Sequence, residues 1–177
     1  MGRKGERMGT RHLTVAKIDG AYKIAQYGQW DGYPEGQGLT VLAFAHKLKD
    51  IEVTEQFKRN LRRCRWLDKY EAEKLNEQID NGIIHNLLRE FPQYHRDTGA
   101  DILDFVLSST SKEIVLENSF SFAFDHIFCE YIWGVDMDTD EFGLYCGADA
   151  TKELVPVKTW HIAEVPTKEA FLKAFEA

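Results

Sequence analysis

Leu13-Thr14-Val15-Ala16-Lys17-Ile18 alternates apolar and polar residues. It runs into Asp19-Gly20 and then into a second alternating stretch, Ala21-Tyr22-Lys23-Ile24-Ala25-Gln26-Tyr27. Period-two alternation on both sides of Asp-Gly is the strongest short-range signal for a β-hairpin, because a two-residue turn of positive φ matches the twist of the strands it joins. Leu13 and Val15 are expected on the inward face, with Tyr22 and Ile24 or their alternates beside them. The register is left open, since a slip of one residue exchanges the two faces.

After Gly38 the period changes. Leu39, Val41, Leu42, Phe44, Ala45 and Leu48 recur at helical spacing and predict a helix over about 39–49. Thr54 reads as the cap of a second helix with Phe57, Leu61 and Cys64 on one face. Asp68 opens a third, with Ala72, Leu75 and Ile79 as its stripe. Beyond Asn81-Gly82, the residues Ile83, Ile84, Leu87, Leu88 and Phe91 predict a fourth that stops before Pro92, and residues 99–108 predict a short fifth.

Strand patterning returns at residues 113–116, 120–124, 128–137 and 142–146, and again at 157–165. The segments 128–137 and 142–146 flank an acidic turn and read as a second hairpin. Pro166-Thr167-Lys168-Glu169 opens a terminal helix carrying Ala170, Phe171, Ala174 and Phe175. Hairpin, helices, hairpin, helix is the order of an α+β fold, with a mainly antiparallel sheet from the N- and C-terminal hairpins and a helical insertion between them. No linker or repeat divides the chain. Residues 8–177 are expected to form a single domain, and residues 1–7 a polar extension ahead of a second start at Met8.

Composition narrows the class of protein. The chain has 177 residues, 44% hydrophobic and 29% charged, enough for a core and too apolar for disorder. No apolar run approaches the ~20 residues that span a bilayer. The first seven residues lack the apolar region of an export signal, so a cytoplasmic location is expected. Cys64, Cys129 and Cys146 are odd in number and lack CxxC spacing, which argues against a disulfide framework or a zinc site. Cys129 and Cys146 can face one another across the second hairpin, but the expected state is small buried thiols. The net charge of −7 is uneven: residues 1–100 carry +3 and residues 101–177 carry −10. Two halves that complement each other electrostatically are the expected reading, ahead of a basic partner.

The chemistry concentrates in Gly28-Gln29-Trp30-Asp31-Gly32-Tyr33-Pro34-Glu35-Gly36-Gln37-Gly38, with four glycines and a proline in eleven residues. Glycines let a backbone turn sharply and approach a ligand closely. Trp30 and Tyr33 offer flat faces with polar tips, and Gln26, Gln29, Asp31 and Gln37 offer donors and acceptors suited to a small polar ligand or a peptide backbone. Gln26, Gln29, Trp30, Asp31, Tyr33 and Gln37 are therefore the candidate ligand- or partner-binding residues. The competing reading has Trp30 and Tyr33 capping the core and Asp31 bonding the turn. The loop is not a phosphate loop, because no Lys-Ser/Thr follows Gly38.

Met8-Gly9-Thr10-Arg11-His12-Leu13, together with residues 24–38, resembles a family of uncharacterised proteins from phages, prophages and some cellular genomes. Residues 130–138 and 142–145 resemble that family's second hairpin. The resemblance covers both ends of the chain and leaves the helical middle less distinctive. It implies a phage-type context and carries no activity with it.

Asp31 and Glu130 are the candidate catalytic residues, with Glu35 and Asp136 joining them if the two hairpins are sheet neighbours. Thr10 is an unsuitable N-terminal nucleophile, since removal of Met8 exposes Gly9. Asp136-Met137-Asp138-Thr139-Asp140 begins like a calcium loop, yet Glu141 and Gly147 stand where such a loop needs glycine and glutamate. The six histidines show no paired spacing, so no metal and no cofactor is expected. Lys58, Arg59, Arg62, Arg63 and Arg65 form a basic face, but acidic neighbours make nucleic acid the lesser expectation. Two readings remain. One is a phage-type accessory protein that binds a host or defence component, as an anti-defence inhibitor would, while the other is a small hydrolase-like enzyme or ligand-binding protein with a polar cleft at the loop.

Overall fold

The structure, a computed structural model, describes residues 9–176, so the expected extension at 1–7 lies outside the described residues. The N-terminal hairpin is present as β1 (His12–Ile18) and β2 (Ala21–Gly28). The second hairpin is β5 (Tyr131–Asp136) and β6 (Glu141–Ala148), followed by β7 (Glu153–His161). They form one five-stranded sheet of order β2-β1-β5-β6-β7. The pairings are antiparallel except β1 with β5, which is parallel. The fold is α+β with a mainly antiparallel sheet.

β1 sits inside the sheet and is buried on both faces, so the expectation of one inward face is corrected. The register steps between Ala16 and Lys17: Ala16 faces Ile24, whereas Lys17 faces Tyr22, leaving Lys23 as an extra residue. A bulge of this kind flips side-chain parity beyond it. Tyr22 therefore packs with Leu13 and Val15, while Ile24 packs with Ala16 and Ile18 on the opposite face.

The Ala16 face carries the larger core. It is covered by α1 (Leu39–Lys47), α2 (Ile51–Arg62), α5 (Ile102–Ser108) and α6 (Lys168–Lys173), which bury Val41, Phe44, Phe57, Leu61, Leu103 and Phe171. The Leu13 face is covered by Phe120–Phe124, expected as a strand and found as a 3-10 helix. Ser119 donates to the Ala25 carbonyl, and the Asn118 side chain accepts from the Phe120 amide. These local bonds give the backbone an alternative to a ladder. Phe120, Phe122 and Phe124 then all pack against this second core.

Other expectations in the middle of the chain are also corrected. α2 is capped by Asp50, whose carboxylate accepts from the Glu52 amide at 2.9 Å. Thr54 lies a turn inside, donating to the Leu48 carbonyl. Cys64 leaves the helix for β3 (Cys64–Trp66), which pairs in parallel with β4 (Ile114–Leu116) in a small separate sheet. Asp68 does cap α3 (Lys69–Asp80) in a capping box with Glu71, but no residue of α3 is fully buried. The fourth helix shrinks to α4 (Leu87–Glu90) because Asn86 caps it, accepting from the Arg89 amide, while the Glu90 carboxylate takes the His85 and Asn86 amides, so the helix starts only at Leu87. Cys64 is buried, Cys129 half-buried and Cys146 exposed, all as free thiols, so the expectation of buried thiols fails for Cys146. No helix among the described residues is long and apolar enough to cross a membrane.

Candidate functional site

The eleven-residue loop leaves β2 at Gly28, forms a π-helical turn over Pro34–Gly38 and runs directly into α1. Its position is set by His12, the first residue of β1, which pairs across the sheet with Gly28 on one side and Tyr131 on the other. The His12 ring is fully buried, and it lies where a side chain at 28 would be. A Cβ added to Gly28 would stand 2.1 Å from Nε2, and one added to Gly32 would stand 2.8 Å from the His12 Cβ. Glycine at 28 and 32 thus serves to admit a histidine. Neither ring nitrogen makes a hydrogen bond of good geometry among the described protein atoms, the Trp30 backbone being a weak polar neighbour, and the hydroxyl of buried Thr14 two residues on is likewise unmatched. Burial drives the His12 pKa down to about 4, against smaller opposing effects of the Trp30 backbone and the Asp31 carboxylate.

The loop is pinned to residues 95–100, a segment whose link to it gave no signal in the sequence. The Gln29 amide donates to the Arg96 carbonyl at 3.0 Å, and Trp30 Nε1 donates to Asp97 Oδ1 at 2.9 Å. Gln37 bridges the two segments, donating to the Trp30 carbonyl at 3.2 Å and accepting from the Ala100 amide at 2.9 Å. Buried Gln26 donates to the His95 carbonyl at 3.4 Å. From below, Trp133 Nε1 donates to the Gly32 carbonyl at 2.7 Å.

These bonds sort the candidate residues. Gln26 and Gln37 serve the fold with their amides. Gln29 accepts from the Tyr27 hydroxyl at 2.6 Å. Asp31 is exposed, with its backbone at φ 58°, and accepts from the Tyr33 hydroxyl at 2.9 Å. Trp30 keeps 40% of its surface exposed, although its indole nitrogen is bonded.

The hairpins are neighbours, as the carboxylate grouping requires, but the parallel β1–β5 register sets Asp136 apart from Glu130. Glu130 donates its backbone amide to the Arg11 carbonyl at 3.1 Å and so lies at the loop end of the sheet. Asp136 pairs with Lys17 at the other end, six strand residues or ~20 Å away. Its carboxylate accepts from the Asp138 and Thr139 amides within its own turn. Asp136 is withdrawn from the site. Asp138 resembles no calcium ligand either, because its carboxylate accepts from the Asp19 and Gly20 amides and ties the two hairpin turns together. Among the described residues no cluster of histidine, cysteine and carboxylate side chains is placed to hold a metal.

The basic face is largely committed to the fold. Arg62 pairs with Asp19, Arg65 with Glu71 and Glu113, and Arg63 donates to the Ser109 and Ser111 carbonyls.

What stands at the loop end is a rim. Gly9 packs against Trp30 and Gln29. Two residues along, the Arg11 guanidinium lies 5.0 Å from the centre of the Phe128 ring. Phe128 is 50% exposed and Ile127 is 82% exposed. Trp30 follows β2 and Phe128 precedes β5, so both stand at the end of the sheet where β1 begins, and Ile127 and the exposed Asp31 and Glu130 adjoin them in sequence. Surface cavities of about 400 to 620 Å³ open along α2 and around Asn118, and none of these is lined by a residue of the Gly28–Gly38 loop. No family model matches the chain, and no curated protein or solved structure matches it.

Proposed function

We propose that the protein works by binding a macromolecular partner through the Trp30 rim. In the phage-type context that its sequence resembles, that partner is a host or defence protein. The observation that carries the reading is Trp30 itself, a large aromatic held half out of the surface by a bonded nitrogen on a loop pinned at several points. A rigid, partly exposed aromatic costs little entropy to bury and is the residue type that anchors interfaces. Phe128 and Ile127 extend the apolar area, and Asp31 and Glu130 supply a polar margin. An enzymatic cleft has less support, since Gln26 and Gln37 are spent on internal bonds and Asp136 lies at the far end of β5.

The test is a photo-reactive benzophenone residue in place of Trp30, with the protein expressed in host cells. The expected result is one discrete covalent adduct that disappears when Phe128→Ala is added. A lack of any adduct, combined with a small-molecule thermal shift abolished by Asp31→Gly, would replace this reading with a ligand-binding one.

A further inference from the structure

At the opposite end of the sheet, beyond the β5–β6 turn, a cavity of about 400 Å³ opens between α2, that turn and the end of β7. This is a usual size for a small-molecule site. Its floor is apolar, made by buried Leu48 and Ile162. Ile51, 69% exposed, forms an apolar lip on α2.

Two lysines and a histidine stand around that floor. Lys49 and Lys58 come from the α1–α2 corner and from α2, and His161 comes from the last position of β7. Asp140 is the only carboxylate among the residues that line the cavity. Lys58 is only loosely neutralised, its nearest paired carboxylate being Glu55 at 4.0 Å. The Ala163 amide donates to His161 Nδ1 at 3.0 Å, which places the proton of the neutral ring on Nε2 and makes that nitrogen a donor. In a chain of net charge −7, two lysines against one aspartate reverse the local sign, and His161 adds a donor.

We infer that this cavity binds a small organic anion, a single carboxylate or phosphate on an apolar body. The head group lies among Lys49, Lys58 and His161, and the apolar body rests on Leu48 and Ile162 under Ile51. Phosphate and carboxylate share this chemistry, with Lys acting on both as a point charge. The inference is independent of the Trp30 rim, because the two sites share no residue.

The experiment is a two-dimensional amide NMR titration of the full chain with phenyl phosphate and, separately, with benzoate. Saturable shifts at Thr54, Ile162 and Ala163 are expected, with a Kd of about 1 mM or tighter for the better probe. The preferred probe identifies the head group. Lys58→Gln should weaken binding about tenfold through loss of a charged hydrogen bond. Asp140→Asn should tighten it by removing the opposing charge, and asparagine tolerates the positive φ of 56° at this position. Shifts that fail to saturate for both probes, or binding that is the same in Lys58→Gln and Asp140→Asn as in the parent, would overturn the assignment.

Discussion

The Trp133 indole nitrogen donates to the Gly32 carbonyl at 2.7 Å, joining the middle of β5 to the middle of a loop 101 residues earlier in the chain. Trp133 is fully buried, stacks with Tyr131 and touches Phe171 and Phe175 of the C-terminal segment. One side chain therefore couples the loop, the sheet and the last helix. Trp133→Phe keeps much of the bulk but leaves a buried carbonyl unpaired and a small void. The expected cost is about 2 to 4 kcal/mol, read from the urea midpoint at constant slope.

His12 predicts a pH dependence. Its pKa falls from an ordinary 6.5 in the unfolded chain to about 4 in the folded one because burial disfavours the cation. The unfolded state then binds more protons between these values, so stability rises with pH across this window. The contribution is fully present above about pH 6.5 and is lost progressively as the pH falls toward 4. For a ring with no exposed surface this amounts to roughly 3 kcal/mol. His12→Gln should flatten the denaturation midpoint between pH 4 and 6.5, and an unchanged slope would show that another group carries the effect.

Asp31 separates backbone strain from recognition. At φ 58° it occupies left-handed space that aspartate tolerates and alanine resists. Asp31→Ala should lose about 1 kcal/mol, whereas Asp31→Gly should stay close to the parent. Both variants remove the carboxylate. Partner binding that fails in both, while only Asp31→Ala melts early, would assign the carboxylate to recognition.

Asn60 is the polar anchor of the helical layer. Buried on α2, its side-chain amide donates to the Val106, Leu107 and Ser109 carbonyls at the end of α5, at 2.8 to 3.2 Å. Asn60→Leu takes the side-chain donor from the Leu107 carbonyl and the shared acceptor from Gln56 and Arg63, and should cost about 2 to 3 kcal/mol by calorimetry. Hydrogen exchange should show residues 105–109 opening first.

Some elements were legible because their cause is local. Asp19-Gly20 between alternating runs determines a hairpin by turn geometry, and Asp68 with Glu71 determines a helix start by a reciprocal cap. The loop was legible as special for the same reason, since four glycines in eleven residues imply close backbone approach. What they approach was not legible. Gly28 and Gly32 admit the ring of His12, a residue sixteen or more positions away whose importance no spacing reveals. Phe120–Phe124 misled because alternation marks a strand only where a neighbouring strand is free to pair, and here Asn118 and Ser119 bond the turn first.

The sequence alone determined the α+β class, both hairpins, the starts of α3 and α6, and the loop as the place where backbone and polar aromatics crowd together. These follow from periodicity and from bonds that span a few residues. Only the tertiary structure decided which loop amides are spent, that Asp136 lies a strand length from Glu130, and that Lys49, Lys58 and His161 line one cavity. Each depends on strand order and register. The parallel pairing of β1 with β5 is specified by the burial of both faces of β1 at once, a property of the whole packed chain.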